Sequence, residues 1–169
     1  KGDIDSNVFD NEITRLTIES IQAIKQIQEN NGESGANRYI ISNNESALNV
    51  METFALFKLN NWDTLSVDII PLFESVDDLQ NAHAIMEKLY TNPAYVEHLA
   101  NRNYKQTIML GFSDGTKDGG YLMANWSIYK AKEELTAMSR KYGIKVIFFD
   151  GRGGPPARGG GKTHKFYAS

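Results

Sequence analysis

With 169 residues, 41% of them hydrophobic, the chain has the size of one ordinary domain and can bury a core without covalent staples. It contains no cysteine, which excludes a disulfide framework, a thiolate zinc site and a cysteine nucleophile, and suits a reducing, cytoplasmic setting. The formal charge of −3 is too mild to name a partner, but it is unevenly spread: residues 151–169 hold four Lys or Arg and no acid, so the first 150 residues carry 14 basic against 21 acidic side chains.

A cationic tip on an acidic body points to a local anion site. No apolar run approaches the ~18–20 residues of a membrane span, and the N-terminus lacks a signal-peptide layout. The chain opens on Lys1 and stops at Ser169 just after a Gly-rich stretch, which reads as a piece of something longer, a single partial domain over residues 1–169.

The first seven residues are polar. From Val8 to about Asn30, Ile13, Leu16, Ile21, Ile24 and Ile27 recur at three-to-five-residue spacing, the pattern of an amphipathic helix. The run Asn30-Asn31-Gly32 ends it, so residues 1–35 form an N-terminal helix and linker. Arg38–Ser42 is a short apolar strand, and Asn43 or Asn44 can cap a helix from Glu45 to about Leu59 through Leu48, Met51, Phe54 and Ala55.

Ser66–Phe73 fits a strand buried on both faces, with Pro71 near its end, where a missing ladder donor does least harm. Ser75 followed by Asp77 and Asp78 starts a helix through Leu89, and Asn92-Pro93 starts a shorter one to about Arg102. Thr107–Phe112 is a third strand. A long helix from Lys117 or Asp118 to Tyr142 ends at Gly143, and Ile144–Phe149 is a fourth strand.

This alternation over 36–150 predicts an α/β fold of four parallel βα units joined by right-handed crossovers. A closed (βα)8 barrel needs eight strands and typically about 250 residues. The pattern therefore fits either a small open sheet or about half of a TIM-like barrel.

Polar residues cluster just after the strands, on the face where parallel α/β folds bind ligands. Glu74 follows the second strand, and Ser113-Asp114-Gly115-Thr116-Lys117 follows the third. Alone, Glu74 could serve only a helix terminus, and Asp114-Gly115 could be turn chemistry. Neighbouring parallel strands lie about 4.8 Å apart, however, so carboxylates ending two of them can share one hard cation, and magnesium takes one or two carboxylates plus waters and substrate oxygens.

The glycine loop from Asp150 to Gly161 holds six of the 14 glycines and two of the four prolines, interleaved with Arg152 and Arg158. Glycines let backbone N–H groups turn toward an anion, and arginines add rigid bidentate donors. The bland alternative is an RGG-like tail that binds RNA or nothing. His164 in this basic stretch remains a candidate. His83 and His98 fall in helical stretches and read as structural or surface residues, while Trp62, Trp126 and Met109 read as packing residues, Met109 on a strand that runs into the proposed site.

At these loops the chain resembles phosphoenolpyruvate carboxylases. Pro71-Leu-Phe-Glu-Ser-Val-Asp-Asp-Leu79 is similar to a PLFET-DDL segment of that family, and Gly111-Phe-Ser-Asp-Gly-Thr-Lys-Asp118 to GYSDS-KDAG. The stretch Asp150–His164 is similar to HGRGG-x-x-GRGG-x-x-TH, and Arg38-Tyr-Ile-Ile-Ser42 to YIISM. The similarity covers roughly residues 36–169.

The resemblance implies a barrel enzyme several times longer, often a homotetramer. It adds bicarbonate to phosphoenolpyruvate through carboxyphosphate and the pyruvate enolate, giving oxaloacetate and phosphate, with Mg2+ or Mn2+. It implies Glu74 and Asp114 as metal ligands and Arg152, Arg158, Gly153 and Gly154 as the phosphate-holding loop. It further implies Lys117 as a supplement to that positive field and Met109 as part of an apolar pocket for carbon dioxide.

Three positions depart from the family pattern: Asp150, counted with Arg152, Arg158 and Lys117 among the candidate catalytic residues, stands where it has a catalytic histidine, Ala157 where it has a glycine, and Asn43 where it has methionine. A further histidine and further arginines of the family site come from regions that this sequence does not contain. The expectation is thus part of a carboxylase, inactive as an isolated piece. The alternatives are a non-catalytic anion-binding module derived from that barrel and, less favoured by the net negative charge, an RGG-like nucleic-acid binder.

Overall fold

The computed structural model describes residues 3–151, the surroundings of the Asp118 side chain excepted. Its regular elements are α1 (Glu12–Asn31), β1 (Arg38–Ile41), α2 (Ala47–Leu59), β2 (Asp68–Phe73), α3 (Val76–Tyr90), α4 (Pro93–Asn101), β3 (Lys105–Gly111), α5 (Ser113–Lys141) and β4 (Lys145–Gly151). The four strands form one parallel sheet in the order β1-β2-β3-β4.

That order resolves the choice left open by the sequence. A doubly wound sheet reverses its strand order at a switch point, whereas a barrel adds each strand beside the last. Here α1 packs on α2, α2 on α3, and α3 on α5, a single helical layer over a sheet that never reverses. The architecture is that of half a barrel.

Local chemistry sets most boundaries. Asn11 accepts from the Thr14 N–H at 3.0 Å to open α1, and Gly32 at φ 80° closes it. Ser75 accepts from the Asp78 N–H at 3.1 Å while Asp78 accepts from the Ser75 N–H at 3.0 Å, a capping box that starts α3. Asn92 caps α4 with Pro93 in its first turn. At the end of α5, Gly143 at φ 69° lets its own N–H reach Arg140 O and that of Ile144 reach Ser139 O, the paired bonds of a Schellman motif.

Several boundaries move. Neither Asn43 nor Asn44 caps α2; Ser46 does, its N–H donating to Asn49 Oδ1 at 3.0 Å, because Asn43 lies in the left-handed region at φ 53°. The apolar stripe of α1 is narrower than its spacing suggests, with Ile18 and Ile21 buried but Ile13 76% exposed. In α2, Val50, Phe54 and Phe57 face the core and Leu48 does not.

The core lies between the helical layer and one face of the sheet, with Phe57, Phe73, Leu89, Tyr95, Ile108 and Leu110 all fully buried. Each such side chain contributes roughly 1.5–3 kcal/mol by leaving water. The opposite face carries Ile40, Leu72, Met109, Ile147 and Phe149, and Phe149 there stays 52% exposed. In a closed barrel that face is the interior, filled by layers of side chains from all eight strands. No helix among the described residues is long and apolar enough to cross a membrane.

Candidate functional site at the carboxyl ends of the strands

Pro71 has no N–H to give a ladder, and β2 divides its pairing around it: residues 68–71 match β1, while Leu72 and Phe73 match Met109 and Leu110 of β3. The last two residues of β2 thus lock onto β3 just before Glu74.

Glycines make that approach tight. A Cβ on Gly111 would lie 3.0 Å from Glu74 Cα, and one on Gly115 would lie 3.4 Å from Glu74 O. The backbone of Glu74 therefore sits against the two glycines that flank Asp114 in sequence. Its carboxylate Oε1 accepts from the N–H of Asn43 at 3.3 Å, so the left-handed turn after β1 donates to the acid that ends β2.

Asp114 is the second residue of α5, where a negative charge is favoured by the helix dipole. The stretch from Ser113 to Lys117 is helical rather than a loop, and α5 begins four or five residues earlier than its sequence suggests. The break comes instead at Gly120, whose φ of 80° and ψ of 169° interrupt the helix. Residues 113–119 form a short leading segment that carries Asp114 and Lys117 on one turn, with Lys117 Nζ 2.7 Å from Asp114 Oδ1. Both side chains reach solvent, 71% and 48% exposed, so the lysine can leave that carboxylate at little cost.

Met109 lies on the open face of β3 between Leu72 and Phe149. Its methyl group covers Gly151, where a Cβ would come within 2.7 Å of Cε. Asp150 is not in a loop. It pairs with Leu110 inside β4 and shares the helix-facing side of the sheet with Leu110 and Phe148. Its Oδ1 lies 2.7 Å from Nζ of Lys132, midway along α5.

The structure thus brings Glu74, Asp114 and Lys117 to the ends of adjacent strands, with Met109 one row below. It turns Asp150 to the other side of the sheet. Arg152, Gly153, Gly154, Arg158 and His164 lie outside the described residues. His98 is a buried core residue against Phe54 and Tyr95, as its helical position suggests, and burial holds its pKa down to about 4.

Among the described residues no three His, Asp or Glu side chains form a ready-made metal cage. Glu74 and Asp114 nonetheless fit a hard divalent ion that keeps waters and takes substrate oxygens: both are carboxylates, and Gly111 and Gly115 admit the backbone of one beside the other. Two contributors escape sequence reasoning. The Asn43 N–H is visible only through a positive φ, and Lys132 has no local signature within a helix rich in lysine and glutamate.

The family model for phosphoenolpyruvate carboxylase matches residues 4–168, nearly the whole chain. The strand order and the half-barrel layout agree with that match, and the chain belongs to the phosphoenolpyruvate carboxylase family.

Proposed function

We propose that this chain supplies the divalent-metal and phosphate-binding part of an enzyme that adds bicarbonate to phosphoenolpyruvate, giving oxaloacetate and phosphate. The observation that carries the reading is the position of Glu74 and Asp114 just past the ends of neighbouring β2 and β3, with Gly111 and Gly115 seated against the Glu74 backbone, in a chain matched by the family model along its length.

Glu74, held by the Asn43 N–H, and Asp114 would hold Mg2+ or Mn2+. The ion supplies Lewis-acid charge where negative charge develops on substrate oxygen. Lys117, once released from Asp114, adds a mobile positive charge beside the substrate. Arg152 and Arg158, with the backbone N–H groups of Gly153 and Gly154, would bind phosphate and carboxyphosphate. Met109 and its neighbours would line the apolar floor on which carbon dioxide meets the enolate.

The described residues supply four strands, half of an eight-stranded barrel, so turnover requires the remaining strands and the groups they carry. The complete enzyme, a cytoplasmic homotetramer in this reading, is expected to form oxaloacetate from phosphoenolpyruvate and bicarbonate with Mg2+ in an assay coupled to malate dehydrogenase. The 169 residues alone are expected to form none. A folded complete protein without this activity would overturn the reading in favour of a non-catalytic anion-binding module.

A further inference from the structure

We propose that Asp150 and Lys132 form a positioning pair that fixes the end of β4, and that the Asp150 carboxylate takes no part in proton transfer. The inference rests on the carboxylase reading above and assigns a role to the position at which this chain departs from the family pattern.

Three observations converge on it. First, the register places Asp150 beside Leu110, which is fully buried under the helices, while Met109, Gly111, Phe149 and Gly151 belong to the opposite face. Successive side chains on a strand point to opposite sides. The carboxylate therefore faces α5 and not the open side of the sheet where Met109 lies.

Second, Lys132 touches β4 twice. Its Nζ is 2.7 Å from Asp150 Oδ1, a charge contact whose angle falls outside hydrogen-bond geometry, and 5.8 Å from the centroid of the Phe148 ring. Phe148 and Asp150 are two residues apart on one face, so a single ammonium group faces both. Each member of the pair is about one-third exposed, 34% for Lys132 and 32% for Asp150, which leaves the ion pair partly shielded from water.

Third, the next residue is clamped from the other side. Gly151 O accepts from the Phe112 N–H at 3.3 Å, and the Met109 methyl group covers its Cα. The strand end is thus pinned by α5 on the outer face and by β3 at its edge and inner face. Arg152 follows directly in sequence.

The test compares Lys132→Met, Lys132→Arg, Asp150→Asn and the exchanged pair Lys132→Asp/Asp150→Lys in the complete enzyme, with thermal midpoints measured alongside. Loss of the pair is expected to lower kcat/KM for phosphoenolpyruvate roughly tenfold to a hundredfold, mostly through KM, since the pair touches no reacting atom and a displaced strand end weakens substrate binding. Lys132→Arg is expected to keep near-parent values, and the exchanged pair to recover most of the loss.

Hydrogen exchange at residues 146–151 is expected to rise in Lys132→Met and Asp150→Asn, a readout independent of turnover. A Lys132→Met enzyme with parent KM and parent exchange would overturn the proposal. So would an Asp150→Asn enzyme whose loss lies in kcat alone and moves a limb of the pH profile, because the carboxylate would then act on the reacting atoms. If the exchanged pair fails to fold, the contrast between Arg and Met at position 132 decides. An inactive parent would count against the carboxylase reading, while the exchange measurement would still judge the pair.

Discussion

At the amino ends of the strands, side chains hold side chains. Arg102 donates from Nε to Asp68 at 2.6 Å and from its terminal nitrogen to Glu33 at 2.7 Å, tying the loop before β3 to the start of β2 and the turn before β1. Just above, buried Tyr95 donates to Gln106 Oε1 at 2.8 Å, and Gln106 Nε2 donates to the carbonyls of Ile69 and Thr107. At the carboxyl ends the pattern inverts. Glu74 accepts from one backbone N–H, Asp114 holds a solvent-exposed lysine, and the strands touch through glycine backbones.

The difference separates stability from function. A satisfied network contributes to folding and leaves little capacity for a ligand, whereas the Glu74 carboxylate, which accepts from the Asn43 N–H, keeps oxygen lone pairs for one. In barrel enzymes the carboxyl ends carry the chemistry and the opposite ends carry stability, and the proposed function gives this half-barrel the same division.

If the division holds, substitutions at the two ends fail in different ways. The largest expected effect is at Glu74. Glu74→Ala should lower oxaloacetate formation by the complete enzyme by roughly 10²–10³-fold, the scale for losing one preorganised electrostatic element, while the thermal midpoint stays near the parent's. Gly111→Ala blurs the boundary, because a Cβ 3.0 Å from Glu74 Cα must push the backbone aside. It should cost about 1–3 kcal/mol in denaturant titration and reduce activity as well.

Arg102→Ala is the counterpart at the other end. It leaves Asp68, whose side chain is only 23% exposed, without its partner, and should cost about 2–3 kcal/mol. The KM for phosphoenolpyruvate should be unchanged while the enzyme stays folded. Tyr95→Phe should cost about 1–2 kcal/mol through the orphaned Gln106 oxygen, again with no effect on kinetics.

His98 gives the smallest effect near neutral pH. Burial lowers its pKa to about 4, against about 6.5 when unfolded, so the unfolded chain binds the extra proton between those values. Stability contributed by the neutral ring is complete above pH ~6.5 and lost as pH falls toward ~4, by up to about 3 kcal/mol. His98→Gln should flatten that part of the stability curve, as read by denaturant midpoints at pH 4.5, 5.5 and 7.

What was legible in the sequence follows the same line. Signals that act within a few residues read correctly: Ser75 and Asp78 for α3, Asn92-Pro93 for α4, Gly143 for the end of α5. The placing of Glu74 and Asp114 after their strands was also legible, since strand ends follow from periodicity. Features that depend on distant partners were not. Ser113-Asp114-Gly115-Thr116 has turn composition yet is helical, with Gly115 seated against the Glu74 carbonyl and the Thr116 hydroxyl bonded back to Phe112 O. Asp150 reads as the start of a glycine loop until β3 supplies the register that makes it strand, and Lys132 is a helix lysine like its neighbours until β4 packs beneath it.

The most direct test of the division is Mn2+ binding, followed by electron paramagnetic resonance in the complete enzyme, its Glu74→Gln/Asp114→Asn variant and Arg102→Ala. The division predicts a bound ion in the parent and in Arg102→Ala below its unfolding temperature, and loss of that ion in the double variant without loss of fold. A folded double variant that holds Mn2+ as tightly as the parent would contradict it and move the metal away from the ends of β2 and β3.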